Sequence, residues 1–205
     1  MKLKIFQAGP MANLSYLVEN EKTKQCFLVD PAWDLKAVLK FCKEAGLEIC
    51  AAVLTHGHFD HSQGIEALPE NVPLYLEAGD KEMLPDLAAR LKTFRGDTKL
   101  KLAGFEVSVL HTPGHSEGSV CLLLEKNLFT GDTLFVGGCG RVDLKEGDPA
   151  KMRESLLLLS KLPPEIKIFP GHGQDEESTI GQERETNHYM RLAVKSRADF
   201  LKEML

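Results

Sequence analysis

Three of the chain's seven histidines fall within six positions, in Thr55-His56-Gly57-His58-Phe59-Asp60-His61. Imidazole and carboxylate are the donors that hold zinc or iron. Alternate residues of an extended segment face one side, so His56 and His58 suit one ion. Asp60 and His61, displaced along the loop, suit a second. Further donors stand in Leu110-His111-Thr112-Pro113-Gly114-His115, Phe129-Thr130-Gly131-Asp132-Thr133 and Phe169-Pro170-Gly171-His172-Gly173. Glycine or proline flanks each of them, as in turns that admit close approach to a ligand. One loop histidine is ordinarily solvated, and the signal lies in four such segments together. A pair of divalent cations would deprotonate a water at neutral pH and polarise a carbonyl, so no serine or cysteine nucleophile is needed.

These donors must be carried by elements, and the pattern places most of them at strand ends. Residues 14–18 and 25–29 read as short strands, stopped by Asp30-Pro31. Asp34 is expected to cap a helix whose apolar face is Leu35, Val38, Leu39 and Cys42 and which ends at Gly46. The apolar run 49–54 reads as a buried strand leading into the first histidine cluster. A helix is expected over 62–68, with strands over 72–76, 105–110, 119–124, 127–130 and 166–169. Asp148-Pro149 opens a helix with Met152, Leu156 and Leu159 inward, and the tail from about 182 reads as helical. With no repeat and no Pro/Gly/Ser-rich linker, residues 1–205 form one α/β (α+β) layered domain with a short helical tail.

Composition narrows the function. The 205 residues carry 30 acidic and 25 basic side chains, a net charge of -5 that argues against a general nucleic-acid binder. No apolar run approaches the ~18 residues of a membrane helix, and none resembles a signal peptide. Five cysteines without a C-x-x-C pair argue against a disulfide scaffold, so a reduced, cytoplasmic location is expected.

The set T-H-x-H-x-D-H, T-P-G-H, T-G-D-T and G-H, at 55–61, 112–115, 130–133 and 171–172, resembles the metallo-β-lactamase superfamily. Within it, Phe129 to Arg141 (F-T-G-D-T-L-F-V-G-G-C-G-R) is similar to the glyoxalase II, or hydroxyacylglutathione hydrolase, branch. The resemblance implies a four-layer αββα sandwich with a metal centre at one edge. It implies that His56, His58 and His115 bind one metal, that Asp60, His61 and His172 bind another, and that Asp132 bridges the two. The metals would be two divalent ions, zinc first, with iron or manganese as alternatives. The implied reaction is hydrolysis of a small-molecule thioester such as S-D-lactoylglutathione, with Asp60 orienting the attacking water. Arg141 is the expected grip on an anionic substrate. His111 and Cys139 are expected to be structural, and His188 lies outside any ligand motif.

Departures from that branch point to other expectations. Glyoxalase II carries a C-terminal helical domain, whereas only a short tail follows His172. His172-Gly173-Gln174 also replaces the branch's His-Glu-Tyr, whose tyrosine is associated with glutathione. The tail at Thr179-Ile180-Gly181-Gln182-Glu183 is closer to short bacterial glyoxalase-like hydrolases. A rival resemblance is to persulfide dioxygenases, in which one iron would sit on His56, His115 and Asp132. Gly140-Arg141-Val142-Asp143 resembles their G-R-T-D, while Phe59 and Thr133 favour the hydrolases. A non-catalytic or electron-transfer metal domain would usually carry glutamate in place of His58. Penicillin-cleaving relatives place a thiolate where this chain has Asp132, so antibiotic hydrolysis is not expected.

Overall fold

The computed structural model describes residues 1–173 and 177–204. Six strands, β1 (Lys2–Ala8), β2 (Asn13–Asn20), β3 (Gln25–Val29), β4 (Glu48–Val53), β5 (Leu74–Glu77) and β6 (Leu91–Phe94), form one sheet in sequence order. The first two pairings are antiparallel, and β3 through β6 run parallel. Helix α1 (Lys36–Ala45) makes the crossover from β3 to β4, and α2 (Phe59–Ser62) follows β4. The second sheet begins with β7 (Thr98–Leu102), β8 (Phe105–His111), β9 (Val120–Leu124) and β10 (Asn127–Gly131), all antiparallel. A small hairpin, β11 (Leu134–Phe135) and β12 (Gly138–Cys139), precedes α3 (Pro149–Leu159). Strand β13 (Lys167–Pro170) then lies parallel to β10, with β14 (Ser178–Thr179) on its outer edge. The chain closes with α4 (Ile180–Thr186), α5 (His188–Lys195) and α6 (Arg197–Glu203).

Strand alternation explains the layering. On β2, Leu14, Tyr16 and Val18 face the second sheet and pack with Phe27, Val53, Val109, Leu122 and Phe129, while Leu17 faces the other way. Leu17, Leu28, Val38, Cys42 and Leu74 fill the space beneath α1. On the outer face of the second sheet, Cys121, Leu128 and Ile168 meet Met152, Leu156, Met190 and Phe200 from the helices. Two sheets covered on both faces give the expected αββα sandwich. They also explain why β2 reads as one buried run from Asn13 to Glu19.

Several local expectations need correction. Asp34 does not cap α1: the N-cap position is Leu35, and Asp34 Oδ1 instead accepts the Lys36 amide at 2.8 Å, one residue early. The segment 62–68 is not one helix, because α2 ends at Ser62 and a 3-10 turn over Gln63–Ala67 follows it. Gly64 lets that turn pack on the loop after β3, since a Cβ there would lie 2.6 Å from the Pro31 carbonyl oxygen. The tail is helical as expected, and it is divided into three helices because Asn187 and Ser196 are extended and cap α5 and α6 through the Met190 and Asp199 amides. Strands β1, β6, β7 and β14 and the β11–β12 hairpin were not expected. Most are short or at a sheet edge, where alternation is weak.

The topology brings the donors together. Strands β3, β4, β8, β10 and β13 release their chains at one edge of the sandwich. Asp30, the 55–61 segment, the 112–115 turn, Asp132 and His172 all follow directly from those ends.

Candidate metal centre

Three donor groups converge at this edge: His56, His58 and His115; His56, His61 and Asp132; and Asp60, His61 and His172. Within the last group, Asp60 Oδ2 is 3.5 Å from His61 Nε2 and 3.3 Å from His172 Nε2, and the two imidazole nitrogens are 3.0 Å apart. Ligands roughly 2.0–2.1 Å from a tetrahedral ion stand about 3.3 Å from one another. In the first group, His58 Nδ1 and His115 Nε2 are 2.9 Å apart. Asp132 lies between the groups, with Oδ1 3.4 Å from His61 Nε2 and Oδ2 3.4 Å from His115 Nε2 and 3.3 Å from His172 Nε2. All seven expected ligands are thus gathered.

The opposite ring nitrogens show which atoms face the centre. Asp30 Oδ1 accepts the Thr55 amide, and its Oδ2 accepts the Thr55 hydroxyl, each at 2.7 Å. With its proton given to Asp30, the Thr55 oxygen is left to accept from His56 Nδ1 at 3.1 Å. His61 Nδ1 donates to Asp30 Oδ2 at 3.0 Å, His115 Nδ1 to the Arg141 carbonyl at 2.9 Å, and His172 Nδ1 to the Met11 carbonyl at 2.8 Å. Four imidazoles therefore present Nε2 to the centre, an arrangement that fixes ring orientation in metal sites.

Electrostatics divides the donors into two sets. Burial, then neighbouring imidazoles, holds the His56 pKa well below its ordinary 6.5. Burial likewise lowers that of His58. Burial opposes charge on His172 too, yet hydrogen bonds to Asp132 and Asp60 lift its pKa to about 10. His61 is raised against burial by Asp132 and Asp30. Burial would raise Asp60 and Asp132, but His172 and His61 hold both below the usual carboxylate range.

Two buried atoms at this centre, His56 Nε2 and Asp132 Oδ1, have no hydrogen-bond partner. Such atoms are costly unless something else meets them. The space is also kept open by glycine: a Cβ on Gly171 would stand 2.3 Å from Asp132 Oδ1 and 2.7 Å from His61 Cε1. Orphaned donors, tetrahedral spacing and an imidazole–carboxylate set all fit divalent metal ions.

Around the donors lie residues that motif reasoning did not single out. In the sequence Asp30 marks only a strand stop, yet it is buried at a left-handed φ of 48° and serves both His56 and His61. Asp80, fully buried, accepts the Gly57 and Gly118 amides and the Ser116 hydroxyl, tying the His56–His58 segment to the His115 turn. Asn13 donates to Asp60 Oδ2 at 2.8 Å and accepts from Trp33 Nε1 at 2.6 Å. The only sequence signal for these was a polar residue at the end of an apolar run, which many surface loops share.

The remaining expected positions lie apart from the donors. The Arg141 guanidinium is exposed and doubly paired with Asp143 at 2.6 Å, so its direct link to the centre is the carbonyl that holds His115. His111 Nε2 bonds the Glu117 carbonyl at 2.9 Å, and His188 lies on α5 beside Glu203. Cys139 packs against the helical layer, and burial pushes its thiol up to about 12. Gln174 lies outside the described residues.

A sequence profile of the metallo-β-lactamase superfamily matches residues 8–172. A hydroxyacylglutathione hydrolase from Vibrio campbellii is 38% identical over 161 residues, 78% of this chain and 61% of that enzyme. Three crystal structures share the fold. ETHE1 from Myxococcus xanthus has a TM-score of 0.88 and 28% identity over the whole of this chain and 90% of its own. BLEG-1, a B3 metallo-β-lactamase, has 0.83 and 31% over 92% and 99%. TTHA1623 in a di-iron-bound form has 0.76 and 36% over 91% and 99%. The chain belongs to the metallo-β-lactamase superfamily. It spans about three-fifths of the length of the hydroxyacylglutathione hydrolase it matches.

Proposed function

We propose that this protein is a metal-dependent hydrolase of thioesters that works with two divalent ions, zinc first and iron or manganese as alternatives. The observation that carries the reading is the position of Asp132, with one carboxylate oxygen near His61 and the other near His115 and His172. His56, His58 and His115 would hold one ion, Asp60, His61 and His172 the other, and Asp132 both. When bound, the ions would acidify a water and polarise the acyl carbonyl.

The chain's own residues do the rest. Asn13 and His172 hold Asp60 as a carboxylate with a fixed face, an acceptor for the proton lost from the attacking water. Asp30 and the Arg141 and Met11 carbonyls keep the imidazoles in the ligating tautomer. A thiolate leaves readily, so no dedicated acid is required at that step. Arg141 would reach an anionic thiol portion only by leaving Asp143, an exposed pair that solvent already screens. The substrate is a small thioester, with a glutathione conjugate as the first candidate, and the expected setting is the cytoplasm.

The test is hydrolysis of S-lactoylglutathione by fresh protein, with metals counted on the same sample. Chelator-sensitive cleavage with close to two ions per chain supports the reading. His56→Ala or Asp132→Ala should lower turnover at least about 100-fold and reduce the metal count. Near-normal activity with less than one ion bound would sink the two-metal reading. ETHE1's likeness favours a second reading, a persulfide dioxygenase with one iron on His56, His115 and Asp132. No hydrolysis, one iron and persulfide-dependent oxygen uptake would select it. BLEG-1's likeness makes a β-lactam the third compound to assay, with no cleavage expected.

A further inference from the structure

Beside the metal centre, across the short helix α2, runs a groove of about 470 Å³ that the proposed chemistry does not use. Helical spacing divides α2 and its continuation: Asp60 and His61 point to the centre, while Phe59, Gln63 and Glu66 line the groove. Trp33 forms its inner wall and stacks edge-on with Phe59, ring centroids 5.6 Å apart. Met83 and Leu84 line the opposite side. Phe59 is 62% exposed, more than any other large apolar side chain among the described residues.

The wall is tied to the chemistry. Trp33 Nε1 donates to Asn13, whose amide donates to Asp60, so one hydrogen-bonded chain joins groove and centre. The lip is acidic, with Glu66 and Asp86, and no lysine or arginine is among the described residues lining it. Biological thiol carriers bear carboxylates or phosphates, which this lip would repel. An uncharged hydrocarbon chain meets no such penalty and would cover Phe59.

We infer that the groove receives the acyl chain of the substrate, and that the preferred thioesters carry a medium-length, uncharged, apolar acyl group. Phe59 and Trp33 set that preference. The inference rests on the hydrolase reading for its substrate class, and its test separates the two.

Trp33 is the chain's single tryptophan, so its fluorescence reports on the groove without turnover. The probe is the non-hydrolysable thioether S-octyl-N-acetylcysteamine, with the S-methyl analogue as control. Saturable change with the octyl and not the methyl compound is expected, weakened at least tenfold in Phe59→Ala and recovered in Phe59→Leu. With N-acetylcysteamine thioesters, kcat/KM should rise from acetyl to octanoyl by up to about fourfold per methylene. That rise should flatten in Phe59→Ala. A terminal carboxylate on the acyl chain should abolish the gain, and Glu66→Gln with Asp86→Asn should restore part of it. Octyl binding without hydrolysis of any thioester would overturn the hydrolase reading but keep the apolar groove. Equal binding of both thioethers, or chain-length dependence unchanged in Phe59→Ala, would overturn the inference.

Discussion

At the scale of single residues, the centre depends on groups that never touch a metal. Asp30 is the leading case, because it orients His61 directly and His56 through Thr55. Its left-handed backbone is one that asparagine also tolerates, so Asp30→Asn should fold. The amide can keep one acceptor but not both, and metal affinity should fall about 10- to 100-fold. Titration against a chromophoric chelator checks this, and unchanged affinity would remove Asp30 from the design. Protons give a second prediction. In the metal-free chain His61 and His172 are raised, so their ion pairs stabilise the fold fully below 6.5, and the share from His172 is lost as pH climbs through about 10. Metal must displace those same protons. Zinc uptake at pH 7 should therefore release protons, and affinity should rise with pH. Calorimetry in buffers of different ionisation enthalpy measures the release, and zero net release would contradict it.

At the scale of elements, the site is a set of strand ends held at close range by turns. The motif glycines are legible as such, but their purpose is not uniform. Gly57 sits between two ligands with its amide on Asp80, whereas Gly171 keeps the metal space empty. Gly171→Ala adds one methyl group where Asp132 Oδ1 and His61 stand. Its backbone φ is ordinary, so no conformational strain accompanies the change. The expected outcome is a folded protein with the parent circular dichroism spectrum, metal content below one ion per chain and activity reduced at least about 100-fold. Two ions retained in that variant would show that the loop after β13 yields. The strands that end at the centre were readable because their cores are apolar and bounded by glycine or proline. Strand β6 was not, since exposed Lys92 and Thr93 leave its four residues without alternation; β7 does alternate, exposed Lys99 and Lys101 with buried Leu100 and Leu102, but over only five residues at a sheet edge.

At the scale of the whole molecule, bound metal would support the fold. The donors come from both sheets: His56, His58, Asp60 and His61 from the first, and His115, Asp132 and His172 from the second. Ions held by both would cross-brace the sandwich at its open edge. Metal at about 100 times its dissociation constant adds roughly 2.7 kcal/mol of stability. Stripping it should lower Tm by about 5–11 °C for a chain of this size. Calorimetry before and after dialysis against a chelator checks this, and an unchanged Tm would mean that the ions do not brace the sheets. No helix among the described residues is long and apolar enough to cross a membrane.

The sequence alone determined the donor types, their order along the chain and the superfamily, because His-x-His-x-Asp-His is a local pattern whose possible chemistry follows from side-chain type. It also determined the layered class, since apolar strands and amphipathic helices carry their burial in their periodicity. Tertiary structure alone decided which atoms face the centre, since a ring's free nitrogen is set by the partner of its other one, and those partners are as distant as Asp30 is from His61. It likewise decided that Trp33 and Phe59 line one groove beside the centre, with buried Asn13 bonded to Trp33. A buried asparagine or an exposed aromatic has no local signature of purpose. Its role exists only when segments far apart in sequence are set side by side by the pairing of β2, β3 and β4 in one sheet.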